Sequence, residues 1–140
     1  MSAGKIVFTN GCFDLFHVGH SYSLLYCRTL AGPEGTVIVG VNSDSSVKRL
    51  KGETRPIIPQ YQRVQMLQGS RYVDRVIVFN DDTPYDIIKR FKPDIIVKGS
   101  DYAGKESEVV GYDLAEVKIL PDSYSVDIST SKLIEKIKAL

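Results

Sequence analysis

KIVFTNGCFDLFHVGH, residues 5–20, decides how the rest of the chain is read. After the leading lysine, IVFT is β-branched and aromatic, which predicts a buried strand over residues 5–9. Asn10-Gly11 is a turn signal. Val18, Tyr22, Leu25 and Tyr26 then fall at i, i+4, i+7 and i+8, which predicts a helix over residues 18–30 with these four on its apolar face, stopped by Gly32-Pro33. Two histidines, His17 and His20, stand where strand becomes helix, with Gly19 between them.

The pattern repeats along the chain. TVIVGV at residues 36–41 predicts a second strand, and a short helix after it fails near Gly52. Pro56 and Pro59 mark a loop, and a helix follows over residues 60–68. Residues 73–79 predict the third strand. A helix from Thr83-Pro84 to Lys92-Pro93, with proline in the tolerated first turn, leads to a fourth strand over 94–99. Residues 116–120 predict the fifth, and Leu133, Ile134, Ile137 and Leu140 give a closing helix its apolar face. Strands that are apolar throughout and alternate with helices imply a parallel sheet covered on both faces, a Rossmann-like α/β/α sandwich with five strands. Ligands bind such sheets at the carboxyl ends of the strands, where GCFDLFHVGH sits.

The chain has 140 residues, 43% of them hydrophobic and 25% charged, which suits one domain over residues 1–140 with a core that needs no disulfides. The formal net charge of +1 gives no global field to recruit nucleic acid or an anionic membrane. Only Cys12 and Cys27 are present, which fits a reducing cytoplasm. No charged-then-apolar leader opens the sequence, and the apolar runs are strand-length, too short to span a bilayer.

Several chemistries compete for the histidines. Cys12, His17, His20 and Cys27 could be read as a zinc set. In one helix, however, His20 and Cys27 would stand ~10.5 Å apart along the axis, too far to share an ion. A dinucleotide site would need GxGxxG after the first strand, and the sequence has Gly11-Cys12-Phe13-Asp14 there instead. The histidines could also be structural, satisfied by backbone. Against that, a glycine-flanked pair at the mouth of a parallel sheet, beside a helix N-terminus with unused N–H groups, makes an anion site with two imidazole donors.

His17-Val18-Gly19-His20 resembles the HxGH motif of the nucleotidyltransferase superfamily, and residues 11–16 resemble the GxFDxxH extension of cytidylyltransferases. GVNSDSSVKRLKGETRPI (residues 40–57), DTPYDIIKRFKPDIIVKGSDY (residues 82–102) and Ser129-Thr130-Ser131 are similar to the nucleotidyltransferase domain of bacterial heptose-phosphate enzymes. Glycerol-3-phosphate cytidylyltransferase is a more distant relative of the same fold.

The resemblance implies transfer of AMP from ATP to a sugar 1-phosphate such as D-glycero-manno-heptose 1-phosphate, with release of pyrophosphate and with Mg²⁺ accompanying the nucleotide. It implies that His17 and His20 stabilise the transition state and that Lys51, ahead of Lys48, closes on phosphates. Gly11, Cys12, Phe13 and Gly19 would line the nucleotide pocket. Asp14 would hold His17, orient the loop or cap the turn. Arg63 would reach the phosphates, or else form a surface salt bridge. Lys98, Gly99 and Asp101 would lie by the base, or Lys98 would only snorkel from a strand end. Ser129, Thr130 and Ser131 would bind triphosphate oxygens, since no Glu or Gln three residues on consumes the helix donors. Arg55 would meet the acceptor. The basic run Lys48, Arg49, Lys51 and Arg55 reads alternatively as a solvated face.

Asp127-Ile128 before Ser129 departs from the heptose type, which usually has glycine at the first of these places, and looks more like the cytidylyltransferases. A CTP-dependent enzyme acting on a polyol phosphate or phosphonate is therefore the second reading, and a non-catalytic nucleotide-binding domain the third. The resemblance also implies a homodimer and, because relatives often fuse this domain to a sugar kinase, a separate kinase as partner.

Overall fold

The computed structural model describes residues 4–140. The expected leaderless start and the first edge of the expected 1–140 domain fall on residues 1–3, outside the described residues. Five strands form one parallel sheet: β1 (Ile6–Gly11), β2 (Thr36–Asn42), β3 (Arg75–Phe79), β4 (Ile95–Lys98) and β5 (Glu116–Ile119), in the order β3-β2-β1-β4-β5. The helices are α1 (Val18–Ala31), α2 (Asp44–Lys51), α3 (Gln60–Gln68), α4 (Tyr85–Phe91) and α5 (Thr130–Lys138).

The alternation within each strand explains the layers. Val7, Val37, Val39, Val41, Ile95 and Val97 point to one face, where Leu24, Cys27 and Ala31 of α1 and Leu67 of α3 cover them. Phe8, Ile38 and Ile96 point to the other, against Ile88 of α4 and Val109. Burying side chains such as Phe8, Leu24 and Ile96 contributes about 1.5–3 kcal/mol each. Both faces are covered, so the strands read as continuous apolar runs. The direction of winding reverses between β1 and β4, which makes the carboxyl ends of these two strands the topological switch point.

Three expectations need correction. The buried face of α1 is Leu24, Cys27 and Ala31, whereas Val18 and Tyr22 are 46% and 41% exposed. The small Cys27 and Ala31 let the helix approach the sheet, and Tyr26 packs only partly buried at the core's edge. The third strand begins at Arg75, not Val73. The carboxylate of Asp74 accepts from the Val37 amide (2.7 Å) and from Arg28 Nη1 (2.7 Å) while its own amide donates to Val37 O (3.0 Å), so a side chain takes one of the two bonds at the strand's start. In α5, Leu133 and Ile134 are half-buried, but Ile137 is 60% exposed and Leu140 lies beyond the helix in solvent. Residues 99–115, between β4 and β5, hold short 3₁₀ turns at Ser100–Tyr102 and Glu106–Glu108.

Candidate active site

An open cavity of about 620 Å³ lies over the carboxyl ends of β1, β2 and β4. From the β1 end come Gly11, Cys12, Phe13 and Asp14, and from the start of α1 come His17 and His20. The end of α2 contributes Lys51, the following loop Arg55, the end of β4 Lys98, and the start of α5 Ser129, Thr130 and Ser131.

His20 follows from the helix geometry. It precedes Leu24, Cys27 and Ala31 by four, seven and eleven residues, so it extends the buried face of α1 past the end of the sheet. His17 is the N-cap residue. Its Nδ1 accepts from the Gly19 amide (3.1 Å), and His20 Nδ1 accepts from the His17 amide (3.2 Å). Each neutral ring must therefore carry its proton on Nε2. The rings stack with centroids 3.8 Å apart, and Phe13 and Phe16 flank His20 at 5.0 and 5.4 Å. Burial lowers the pKa of His17, and burial with the adjacent His17 pushes His20 down to about 4. At neutral pH the pair is two uncharged N–H donors.

Gly19 lies against the His17 ring. A Cβ there would stand 2.9 Å from the His17 ring, so glycine makes room for that ring to fold over the first turn. Gly19 does not line the cavity, and its amide is spent on His17. Phe13 turns the chain from β1 towards α1 in the left-handed region, φ 51°, where a side chain costs roughly 1–2 kcal/mol. Cys12 stays a thiol, because burial raises its pKa against the pull of Lys51, Arg63 and Arg55.

Asp14 is almost fully buried and orients the loop; no bond joins it to His17. Its oxygens accept from the amides of Ile57 (2.9 Å) and Ile58 (2.8 Å) and from Arg55 Nε (3.0 Å), so it fixes residues 55–58 beneath the cavity. Arg63 is not at the surface and does not line the cavity. It is 1% exposed, and Nη1 donates to the carbonyls of Cys12 (2.7 Å) and Asn42 (2.8 Å). Nε donates to Ile58 O and Nη2 to Asp44 Oδ1, both at 2.9 Å. Four of its five N–H donors are used in this way, and they brace the ends of β1 and β2.

The basic run is largely helix, not flexible loop. Lys48 is exposed and does not line the cavity, and Arg49 pairs with Asp82. Lys51, the last residue of α2, does line it. Lys98 Nζ donates to Asn10 Oδ1 (3.2 Å) and lies 5.4 Å from the Tyr102 ring centroid, and burial lowers its pKa although Asp101 opposes this. Gly99 and Asp101 do not line the cavity. Ser129 caps α5 by accepting from the Lys132 amide (3.1 Å), so one expected free donor is used after all. Thr130 Oγ1 accepts from the Leu15 amide (3.3 Å) and ties α5 to the loop before the histidines.

Asn10, Asn42, Leu50, Asp82, Tyr102 and Ile128 also line the cavity; none of them is a site residue in the sequence reading, where Asn10 is a turn signal and Ile128 part of a family departure. The only signal for Asn10 and Asn42 is a polar residue ending an apolar strand. No group of three or more His, Cys, Asp or Glu capable of holding a metal exists among the described residues. Cys27 is sealed in the core, away from the cavity. The donor set does not form a cage for Mg²⁺: both oxygens of Asp14 are engaged, and Asp82 is paired with Arg49. Among the described residues no helix is long and apolar enough to cross a membrane.

The sequence matches the cytidylyltransferase-like family over residues 8–136. It is 49% identical over 136 residues to the bifunctional protein HldE of a Nitratiruptor species, covering 96% of this chain and 28% of that protein. The HldE of Campylobacter jejuni subsp. jejuni serotype O:6 is 50% identical over 134 residues, with the same coverage. The chain thus spans little more than a quarter of the length of these relatives. Among solved structures, a lipopolysaccharide core biosynthesis protein from Thermoplasma volcanium superposes with a TM-score of 0.66 at 28% identity, covering 84% of this chain and 94% of that one. The family match runs from β1 into α5 and takes in both the stacked histidines and the Ser-Thr-Ser helix start, so the chain belongs to the cytidylyltransferase-like family of nucleotidyltransferases.

Proposed function

We propose that this nucleotidyltransferase moves AMP from ATP to the phosphate of a sugar 1-phosphate of the heptose type, releasing pyrophosphate. One observation carries the reading: two neutral imidazoles, each fixed as the Nε2–H tautomer by a backbone amide, line a cavity shared with Lys51 and the start of α5. The similarity to HldE over nearly the whole chain favours the heptose type over a polyol phosphate or phosphonate acceptor.

In the reaction an oxygen of the acceptor phosphate attacks the α-phosphorus, and the bond to the β-phosphate oxygen breaks as pyrophosphate departs. No protein nucleophile is needed, so catalysis rests on positioning and charge stabilisation. His17 and His20 donate through Nε2–H to the α-phosphate and its bridging oxygen, where charge builds. Because both rings are neutral, they gain most when that charge develops and bind the ground state less tightly than cations would. Lys51 and Arg55 neutralise the acceptor phosphate. Ser131 and the N-terminus of α5 receive the outer phosphates. Lys98, held by Asn10, lies with Tyr102 at the β4 side of the cavity, the side assigned to the nucleoside. Mg²⁺ travels with the triphosphate.

The test is pyrophosphate release with Mg²⁺ and either ATP plus heptose 1-phosphate or CTP plus glycerol 3-phosphate. Turnover with the first pair is expected. Turnover confined to the second would overturn the donor and acceptor assignment. Thermal unfolding with each of ATP, CTP, GTP and UTP tests the donor assignment alone, because a ligand of the native state raises stability.

A further inference from the structure

Two carboxylates line the cavity, and the proposed reaction uses neither directly. Asp14 is accounted for by the 55–58 loop. Asp82 is different. It follows β3, on the side of the sheet opposite Lys98 and the start of α5, and its side chain is 64% exposed. Oδ1 accepts from Arg49 Nε at 2.8 Å, while Oδ2 has no hydrogen-bond partner among the described residues.

The loop that carries Asp82 is bracketed to α2. The Ser43 amide donates to Phe79 O (2.9 Å), Ser43 Oγ to Asn80 Oδ1 (2.7 Å) and Ser46 Oγ to Asp81 O (2.9 Å), and Arg49 Nη2 donates to Asn80 O. The same helix ends in Lys51. One rigid element therefore sets both a cation and a carboxylate on the cavity wall, the cation directly and the carboxylate through Arg49.

A carboxylate lining the same cavity as Lys51 and Arg55 repels phosphate and weakens a pure anion site. It is useful there only for a cation or for hydroxyl donors. A cation would need several oxygen ligands, and no suitable cluster exists among the described residues. Hydroxyl groups need one oriented carboxylate, which takes them in short, charge-assisted hydrogen bonds.

We propose that Asp82, oriented by Arg49, is a specificity-determining residue whose open carboxylate oxygen accepts from hydroxyl groups on the acceptor's sugar chain while its phosphate meets Lys51. This rests on the proposed function, in which the acceptor is a phosphorylated polyhydroxy compound. The arrangement makes opposite predictions for two ligands. Removing the carboxylate weakens a hydroxylated phosphate ester and leaves a plain one unharmed or tighter.

The experiment is equilibrium titration of the full chain with heptose 1-phosphate and with methyl phosphate, for wild type, Asp82→Ala and Arg49→Gln. The wild type should prefer the sugar phosphate, and Asp82→Ala should cut that preference about tenfold, the size of one or two lost hydrogen bonds. Methyl phosphate should bind the variant at least as tightly as wild type. Arg49→Gln should lose part of the same preference. A preference unchanged within about twofold would overturn the proposal, as would a parallel loss for methyl phosphate, a loss seen only with Mg²⁺, or a wild type that does not discriminate. The pyrophosphate assay is independent of this one. No turnover with a tenfold change in preference removes the reaction and keeps the hydroxyl site; turnover with no change does the reverse.

Discussion

His20 should make the stability of this protein fall as the pH drops from 7 to 5. Its ring titrates near 6.5 in the unfolded chain and near 4 in the folded one, because burial and the stacked His17 both disfavour the cation. The unfolded state therefore takes up a proton that the native state refuses, and stability is lost as pH falls through 6.5 towards 4. The full penalty is about 3.4 kcal/mol at 1.36 kcal/mol per pH unit, and about 2 kcal/mol of it has accumulated by pH 5. Below about pH 4 both states are protonated and the loss levels off. Other groups titrate in this range, so the measurement is a difference. His20→Asn keeps an acceptor for the His17 amide but cannot titrate. Urea unfolding of wild type and variant at pH 7, 6 and 5 should show the wild type losing about 2 kcal/mol relative to the variant. A difference constant to within about 0.5 kcal/mol would refute the reasoning. The sequence has only two histidines, so the Cε1–H resonances give a second reading. His20 should titrate near 4 and His17 below its ordinary value of 6.5. A His20 midpoint at or above 6.5 would also sink the argument.

His17→Ala and His20→Ala should each lower kcat by at least about 100-fold with the far-ultraviolet spectrum unchanged, since each removes one donor to the developing charge; full activity in either would remove the catalytic assignment. Lys51→Ala should raise the acceptor KM about tenfold, whereas Lys48→Ala, outside the cavity, should leave it within about twofold, and equal effects would restore the flexible-loop reading. Arg63→Met should cost about 3 kcal/mol in denaturant unfolding, because three carbonyls lose their donor while Asp44, 43% exposed, regains water; a loss below about 1 kcal/mol would mean the brace is dispensable. Asp14→Asn should destabilise by about 1–3 kcal/mol and raise the susceptibility of residues 55–58 to proteolysis, and an unchanged cleavage rate would refute its role in fixing that loop.

The sheet was readable because its pattern is redundant. Val37, Ile38, Val39 and Val41 announce a strand covered on both faces, and four further runs of the same kind leave little choice of architecture. Stretches with weaker patterns gave less. Residues 99–115 fold as 3₁₀ turns with no period to detect, and the buried face of α1 was hidden because apolar residues surround that helix. Asn10, Asn42 and Asp82 are single polar residues at strand ends and in a loop. Only the meeting of three chain segments brings them to one cavity.

Arg63 and the histidines show where residue type stops being informative. A guanidinium offers five donors, and the letters do not say whether they face a phosphate or backbone carbonyls. In Arg63 four of the five are spent on Cys12, Asn42, Ile58 and Asp44, and these contacts fix two loops of the site. The histidines divide their atoms differently. Each gives Nδ1 to a backbone amide, which is the structural reading, and thereby keeps the proton on Nε2, which the functional reading needs. The two readings were set against each other as rivals, yet they use opposite edges of the same ring. A cap that fixes the tautomer is a condition for neutral-donor catalysis, and the spacing of the motif follows from it. Three residues from N-cap to N3 bring His20 back to the His17 amide, and glycine between them leaves room for the His17 ring.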